Sequence, residues 1–383
     1  MTQLTNQRFL FPEKAVSGYL NGASRSPQLK ALAAAARHAI WWREENAGMP
    51  IPAFFETVSL VKAEFAQLIN CAEPDRIAVL PSTSYGIATA AKNLPLQQGQ
   101  NIIVAEDQFP SNYYSWLERC KEVGAELRVV ARPEPGATDS WSDRVLAAID
   151  HKTAAVAIAQ VHWADGSLFD LAAIRDRTND VDAWLIIDAT QSVGAFPTDV
   201  SALKPDVLCA GGYKWLMGPY GCGYAYFGER MDGGTPLEEN WINRAGSEDF
   251  RNLVNYREEY RPLAGRYCVG QQSNFIMMPM QLEGLKQVNA WGAENIQAYC
   301  NELWSGVAPI LANVGIELPE ERAHHLVGLK LTDDFDRDVL SAEFERRGLS
   351  LSYRGDAIRV SPGCYNLPEE LAELAGAFFK AVK

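Results

Sequence analysis

Residues 184–223 read WLIIDATQSVGAFPTDVSALKPDVLCAGGYKWLMGPYGCG, and the fold turns on two apolar runs inside this stretch. WLII and VLCAG are each four or five residues long and built from branched or compact side chains. Short continuous runs of this kind suit strands buried on both faces of a parallel sheet. Each run ends in something polar: Asp188 closes the first, and Tyr213-Lys214 follows the second. A carboxylate ending one strand and a lysine just beyond the next would face each other at the sheet's carboxyl edge, where open α/β sheets place ligands.

An acid and a lysine held this way suit pyridoxal phosphate. The lysine amine condenses with the cofactor aldehyde, and the carboxylate keeps the pyridine nitrogen protonated so that the ring can draw electrons. The plainer alternative makes Asp188 a helix cap and Lys214 a solvated loop residue. The rest of the chain has to decide between them.

Composition narrows the field. A length of 383 residues allows two or three domains and ample core. Hydrophobic content of 47% with 22% charged residues is ordinary for a globular protein. A net charge of −13 argues against a general binder of nucleic acid or anionic membrane, while leaving room for a local basic pocket. No uninterrupted apolar run approaches a membrane span. The opening MTQLTNQRFLFPEKAVSG has neither the apolar core nor the small-residue cleavage site of a signal peptide. The cysteines (Cys71, Cys120, Cys209, Cys222, Cys268, Cys300 and Cys364) are scattered, odd in number and never in a C-x-x-C pair. That fits free thiols in a reducing cytoplasm. The histidines make no metal-binding spacing, and adjacent His324 and His325 would point to opposite faces of a strand, so no metal site is expected.

Along the chain, an irregular N-terminal arm leads to the turn-rich segment 19–27, and the alanine-rich run 28–38 reads as a helix. A loop is expected over 41–53, followed by a helix over 54–70. Strand and helix patterns then alternate. Strand runs fall at 76–81, 101–106, 127–131, 153–161, the two opening runs, and 223–228. Such alternation means an α/β fold with a mostly parallel seven-stranded sheet and helices on both faces. Residues 229–270 read as loops around the site or an interface, and a long helix is expected over 280–313. Strand runs at 325–331, 349–353 and 357–362, with helices near 336–347 and 367–381, form a smaller α/β C-terminal domain. The expected division is a large cofactor-binding domain over 19–260, with 1–18 and 261–383 as arm and small domain.

Polar and aromatic residues gather at the strand ends. Ser82, Thr83, Phe109, Trp163, Asp188 and Lys214 each lie at or just beyond one, so five ends converge on one crevice. Ser82 and Thr83, between a strand and a helix, could bind phosphate through hydroxyls and backbone N–H groups, or could simply cap the helix. Phe109 could cover a flat cofactor or pack in the core. Gln191 could donate to a cofactor oxygen or sit on a helix surface. Arg359, flanked by Ile358 and Val360, needs an anionic partner, which is either a substrate carboxylate or an internal acid. Asn21 could be an ordinary turn residue. Neither a dinucleotide fingerprint nor a P-loop accompanies these residues.

The ordered series S-T, F-P-S-N, V-H-W-A-D-G, D-A-T-Q, Y-K-W-L-x-G-P-x-G and I-R-V-S-P-x-x-Y-N resembles the class V aminotransferase group of fold-type I pyridoxal-phosphate enzymes. That group includes cysteine desulfurases, kynureninases and isopenicillin N epimerase-like proteins. The resemblance runs from about Tyr19 to the C-terminus. It implies that Lys214 carries the cofactor and later shuttles the proton at the substrate α-carbon, with Asp188 on the pyridine nitrogen. It further implies Gln191 near the phenolic oxygen, Phe109 on the ring, Ser82 and Thr83 on the phosphate, and Arg359 on the substrate carboxylate. Asn21, Trp163 and Tyr213 fall at positions lining the cofactor or substrate pocket. Gln271 falls in the segment that, in relatives, reaches the phosphate of the neighbouring subunit, which implies a homodimer with shared sites.

The departures are informative. Cysteine desulfurases carry a reactive cysteine on a loop before the clamp arginine, but GLSLSYRGDAIRV has none, and Cys364 comes after Arg359. Gly211 and Tyr213 also replace the desulfurases' hydroxyl and histidine before the lysine. The expected function is a PLP-dependent enzyme acting on an α-amino acid, with transamination leading because it requires no further catalytic residue. The alternatives are a kynureninase-like or C–S β-lyase, an amino-acid epimerase, or an inactive binding protein of the same fold.

Overall fold

The protein is described by a computed structural model over residues 4–134, 137–319 and 321–383. The seven apolar runs become seven strands: β1 (Ile77–Leu80), β2 (Asn101–Ala105), β3 (Glu126–Val130), β4 (Thr153–Ala159), β5 (Trp184–Asp188), β6 (Val207–Gly211) and β7 (Gly223–Phe227). Their spatial order is β1-β7-β6-β5-β4-β2-β3. Pairing is parallel from β3 through β6, and β7 runs antiparallel to both β6 and β1. Strands β4, β5 and β6 are buried along their whole length, which is why their sequences show no polar alternation. Edge strand β3 exposes Glu126 and carries Arg128 beside it, a charged edge that discourages pairing with another chain.

Helices cover both faces of this sheet. On one side Val61 and Phe65 from helix Glu56–Leu68, Val145, Ile174 and Leu285 share a core cluster; on the other Ile87, Ala90 and Trp116 do. Register then sets up the site. Ala159 of β4, Asp188 of β5 and Cys209 of β6 stand in one row across the carboxyl edge.

A second, antiparallel sheet has the order β8-β10-β9, from β8 (Val327–Lys330), β9 (Ser352–Arg354) and β10 (Ala357–Val360). Helices Arg337–Arg346 and Pro368–Ala381 close its core with Leu340, Phe344, Leu371 and Phe378.

Three expectations differ from what is found. The helix expected over 28–38 runs Lys30–Glu45, through Trp41 and Trp42, because nothing breaks it before Asn46, whose backbone and side chain both bond the Trp42 carbonyl. The single helix expected over 280–313 is three: Met277–Trp291, Ala293–Ser305 and Ala308–Ala312. Its first break is Gly292, at φ +77°, outside the helical region. Packing also does not divide at 260. Leu20 belongs to the small sheet's core, whereas Ala264, Tyr267, Met278 and Leu285 belong to the large sheet's. We propose on these grounds that the boundary lies near Gly292 and that 19–22 counts with the smaller unit.

Gly86 connects the fold to the site. It sits in helix Thr83–Asn93, and a Cβ built there would lie 2.4 Å from Cys209 Sγ on β6. Gly86→Val must push this helix, and the hydroxyls at its start, off the sheet. Urea denaturation is expected to show a loss of about 1–3 kcal/mol.

Candidate active site

A cavity of about 210 Å³ opens at the carboxyl edge of the large sheet. The expected residues Ser82, Thr83, Phe109, Trp163, Asp188, Gln191, Tyr213 and Lys214 all line it, so the loops after β1, β2, β4, β5 and β6 do converge.

Asp188 and Lys214 are both deeply buried, at 7% and 6% exposure. Burial raises the Asp188 pKa, against the opposing pull of Thr190 and Lys214. The Thr190 N–H donates to Asp188 Oδ1 at 3.0 Å. Burial lowers the Lys214 pKa to about 8; Asp188 opposes the shift, and Arg359 and Arg354 add to it. Among the described residues Lys214 Nζ has no hydrogen bond or ion pair. It stands 5.5 Å from the Phe109 ring centroid and 5.6 Å from that of Tyr213. The chain thus places a buried amine and a buried carboxylate in one crevice, and the amine forms no ion pair among the described residues.

Around this pair the other residues are fixed in place. Ser82 caps helix Thr83–Asn93 by accepting from the Tyr85 N–H, the plainer of its two readings, while still lining the cavity. The Thr83 hydroxyl bonds that of Thr190 at 2.9 Å, and Thr190 Oγ1 accepts from the Gly211 N–H. This chain of bonds ties the helix start to the ends of β5 and β6. Trp163 donates from Nε1 to the Asp107 carbonyl and meets Phe109 edge-on at 5.4 Å. Tyr213 packs edge-on against Tyr220 at 4.6 Å.

Gln191 is more committed than its sequence suggested. Its Nε2 donates to the Ala23 carbonyl at 3.0 Å and its Oε1 accepts from Trp215 Nε1 at 2.9 Å. Its backbone carbonyl accepts from His325 Nε2 at 2.7 Å, and burial holds the His325 pKa down at about 4. His325 is not in a strand, since β8 begins at Val327.

Arg359 lies just behind the cavity wall on β10, at 1% exposure. Its Nη1 donates to the Trp163 carbonyl at 2.9 Å and its Nη2 to Ser24 Oγ at 2.6 Å. The Ser24 hydroxyl donates to Asn21 Oδ1, which places Asn21 behind the arginine rather than in the cavity lining. Arg359 Nε is buried without a partner, and no acidic side chain pairs with the guanidinium among the described residues. The internal-acid alternative for Arg359 finds no acid among the described residues. Gln271 is not brought to this cavity: it is exposed, at φ +60°, away from the lining.

Sequence reasoning passed over Thr190, although its position two residues after Asp188 is where a hydroxyl or N–H can turn back onto a carboxylate. It also passed over Arg354 on β9, because hairpin register is not readable from a run of seven residues. Cys222 lines the cavity, and burial pushes its thiol up to about 12, which disfavours the reactive thiolate. Among the described residues no group of three or more His, Cys, Asp or Glu is placed to hold a metal, and no helix is long and apolar enough to cross a membrane.

A profile of the Aminotransferase class-V family matches residues 52–371. The chain belongs to that family and is a pyridoxal-phosphate-dependent enzyme, a transferase or a lyase. It is 25% identical over 320 residues to the uncharacterized aminotransferase YcbU of Bacillus subtilis, covering 82% of this chain and 81% of that protein. Against the cysteine desulfurase of Pectobacterium atrosepticum identity is 26% over 310 residues, covering 79% and 72%. Two solved structures share the fold. The cystine C-S lyase C-DES superposes with a TM-score of 0.84 at 17% identity, covering 97% of this chain and 100% of that one. The Escherichia coli cysteine desulfurase CsdA gives 0.81 at 18%, covering 97% and 96%.

The donor set fits the cofactor: a buried carboxylate, an unpartnered amine and hydroxyls at a helix N-terminus line one cavity. The Lys214 pKa sets the pH at which it can be loaded. Only the neutral amine attacks an aldehyde, so the rate of pyridoxal-phosphate uptake is expected to rise with pH and level off above about 8. Stopped-flow absorbance across pH 6–10 checks this, and a rise continuing to the ordinary lysine range would contradict the assignment.

Proposed function

We propose that the chain transaminates an α-amino acid at this site. One observation carries the reading: a buried lysine amine with no partner of its own lies in the same crevice as a buried carboxylate. When bound, the cofactor supplies an aldehyde that condenses with primary amines and a ring that withdraws electrons from the substrate α-carbon. Lys214 Nζ would hold the cofactor and would move the proton at the substrate α-carbon. Asp188 keeps a proton on the ring nitrogen. Ser82, Thr83 and the helix start they occupy bind the phosphate. Phe109 would cover the ring, and Gln191 would lie near its phenolic oxygen. Arg359 grips the α-carboxylate with a guanidinium that nothing else neutralises.

The choice of transamination has support in the lining. Moving a proton between two carbons on one face needs one base, whereas inverting an α-carbon calls for a donor on the opposite face. Lys214 supplies the one base. Burial holds the protons of Tyr213 and Cys222 more tightly than usual, so neither readily acts as a second. Persulfide chemistry lacks its thiol, because the hairpin before Arg359 carries no cysteine and Cys364 is buried. The free thiols suit a reducing cytoplasm, and the exposed position of Gln271 suits a homodimer in which it serves the neighbouring site.

The test is the visible spectrum of protein loaded with pyridoxal phosphate, titrated with a panel of amino acids, followed by product analysis. Transamination requires a 2-oxo acid and pyridoxamine phosphate in equal amounts. Pyruvate with a released side-chain fragment, or an inverted amino acid, would move the protein to the lyase or epimerase reading. Lys214→Ala is expected to lower turnover by roughly 10²–10⁴-fold with the unfolding midpoint held. Arg359→Gln should raise KM by about tenfold or more.

A further inference from the structure

Arg359 is not the only unneutralised cation near the site. In the β9–β10 hairpin Arg354 pairs with Ala357, and Arg359 pairs with Ser352. Residues paired across antiparallel strands, and those two apart along one strand, share a face. Arg354 and Arg359 are therefore diagonal neighbours on the same face, the one turned toward the large sheet. Both stack on one ring: the Arg354 guanidinium carbon lies 5.4 Å from the Trp163 centroid and that of Arg359 lies 5.9 Å away. Trp163 is itself part of the cavity lining.

Among the described residues neither guanidinium meets an acid. Arg354 Nη1 donates only to the carbonyl of Tyr353, its own neighbour, and its buried Nε has no partner. The acid of the hairpin turn, Asp356, points to Lys330 at 3.8 Å instead. Two guanidinium groups side by side repel each other, and partial burial of both makes the repulsion costlier. A folded chain that retains such a pair without an internal carboxylate is arranged for a ligand with two negative groups.

We propose that Arg354 grips a second anionic group, so that the site selects α-amino acids whose side chain ends in a carboxylate. This rests on the reading of Arg359 as the α-carboxylate clamp. One guanidinium takes each carboxylate, and the indole of Trp163 holds both forks in position. Neutral and aromatic amino acids leave Arg354 unpaired and bind less well.

Two measurements on the pyridoxal-phosphate-loaded protein test this. Calorimetry compares succinate with butyrate, which need no chemistry to bind. Titration of the visible band compares L-aspartate and L-glutamate with L-asparagine and L-glutamine. The expected result is a preference of roughly tenfold or more for the dicarboxylate in each pair. Arg354→Gln should remove most of that preference, and Arg354→Lys should keep part of it. Equal binding of succinate and butyrate, or an Arg354→Gln variant with the preference intact, overturns the proposal. If succinate is preferred while no amino acid shifts the band, the two-cation grip stands and the transaminase reading fails.

Discussion

The protein folds around charges that it does not neutralise. Asp188 ends a fully buried strand, Lys214 lines the same crevice, and among the described residues Lys214 has no ion pair and Arg359 only neutral acceptors. Buried ions normally find a counter-ion or change protonation. Here the shifts in pKa run in the direction that burial dictates: up for the carboxylate, down for the amine and the guanidinium. Burial is the largest cause of each shift, and all three groups lie in or beside the same cavity.

Keeping such groups in place requires support from several directions, and segment 19–26 supplies much of it. Ser26 bonds the Tyr213 carbonyl just before the lysine, Ala23 accepts from Gln191, and Ser24 holds Arg359. The same segment bridges the small sheet, with Tyr19 against Ser350 and Asn21 against Ser361. One short stretch thus couples the lysine loop, the β5 end and the arginine strand. Any shift of the small sheet relative to the large one is felt at all three.

What could be read beforehand follows from which constraints are local. Seven strands were legible because a strand buried on both faces has to be apolar throughout, and a polar residue at its end then stands out. Asp188 and Lys214 were legible for that reason. Gln191 was read as a cofactor contact, yet its amide is largely occupied by Ala23 and Trp215, partners far away in sequence. The end of the first long helix was misjudged because two tryptophans and nearby prolines resemble a loop, although no residue before Asn46 stops the helix. Arg354 was invisible for a different reason: whether it shares a face with Arg359 depends on one register step in a tight hairpin.

That hairpin also bears on the reaction class. The β9–β10 hairpin of the small sheet brings its side chains against Trp163 of the cavity lining. It brings two arginines, one from each strand, and no thiol. Arginine binds and orients anions but neither takes nor gives a proton at physiological pH. On the proposed reading the small sheet contributes recognition, and proton movement falls to Lys214. A site with one base, one electron-sink partner and a cationic wall favours a reaction in which the same proton leaves one carbon and reaches another. Selectivity in such a site comes from the charge of the substrate rather than from a second catalytic group.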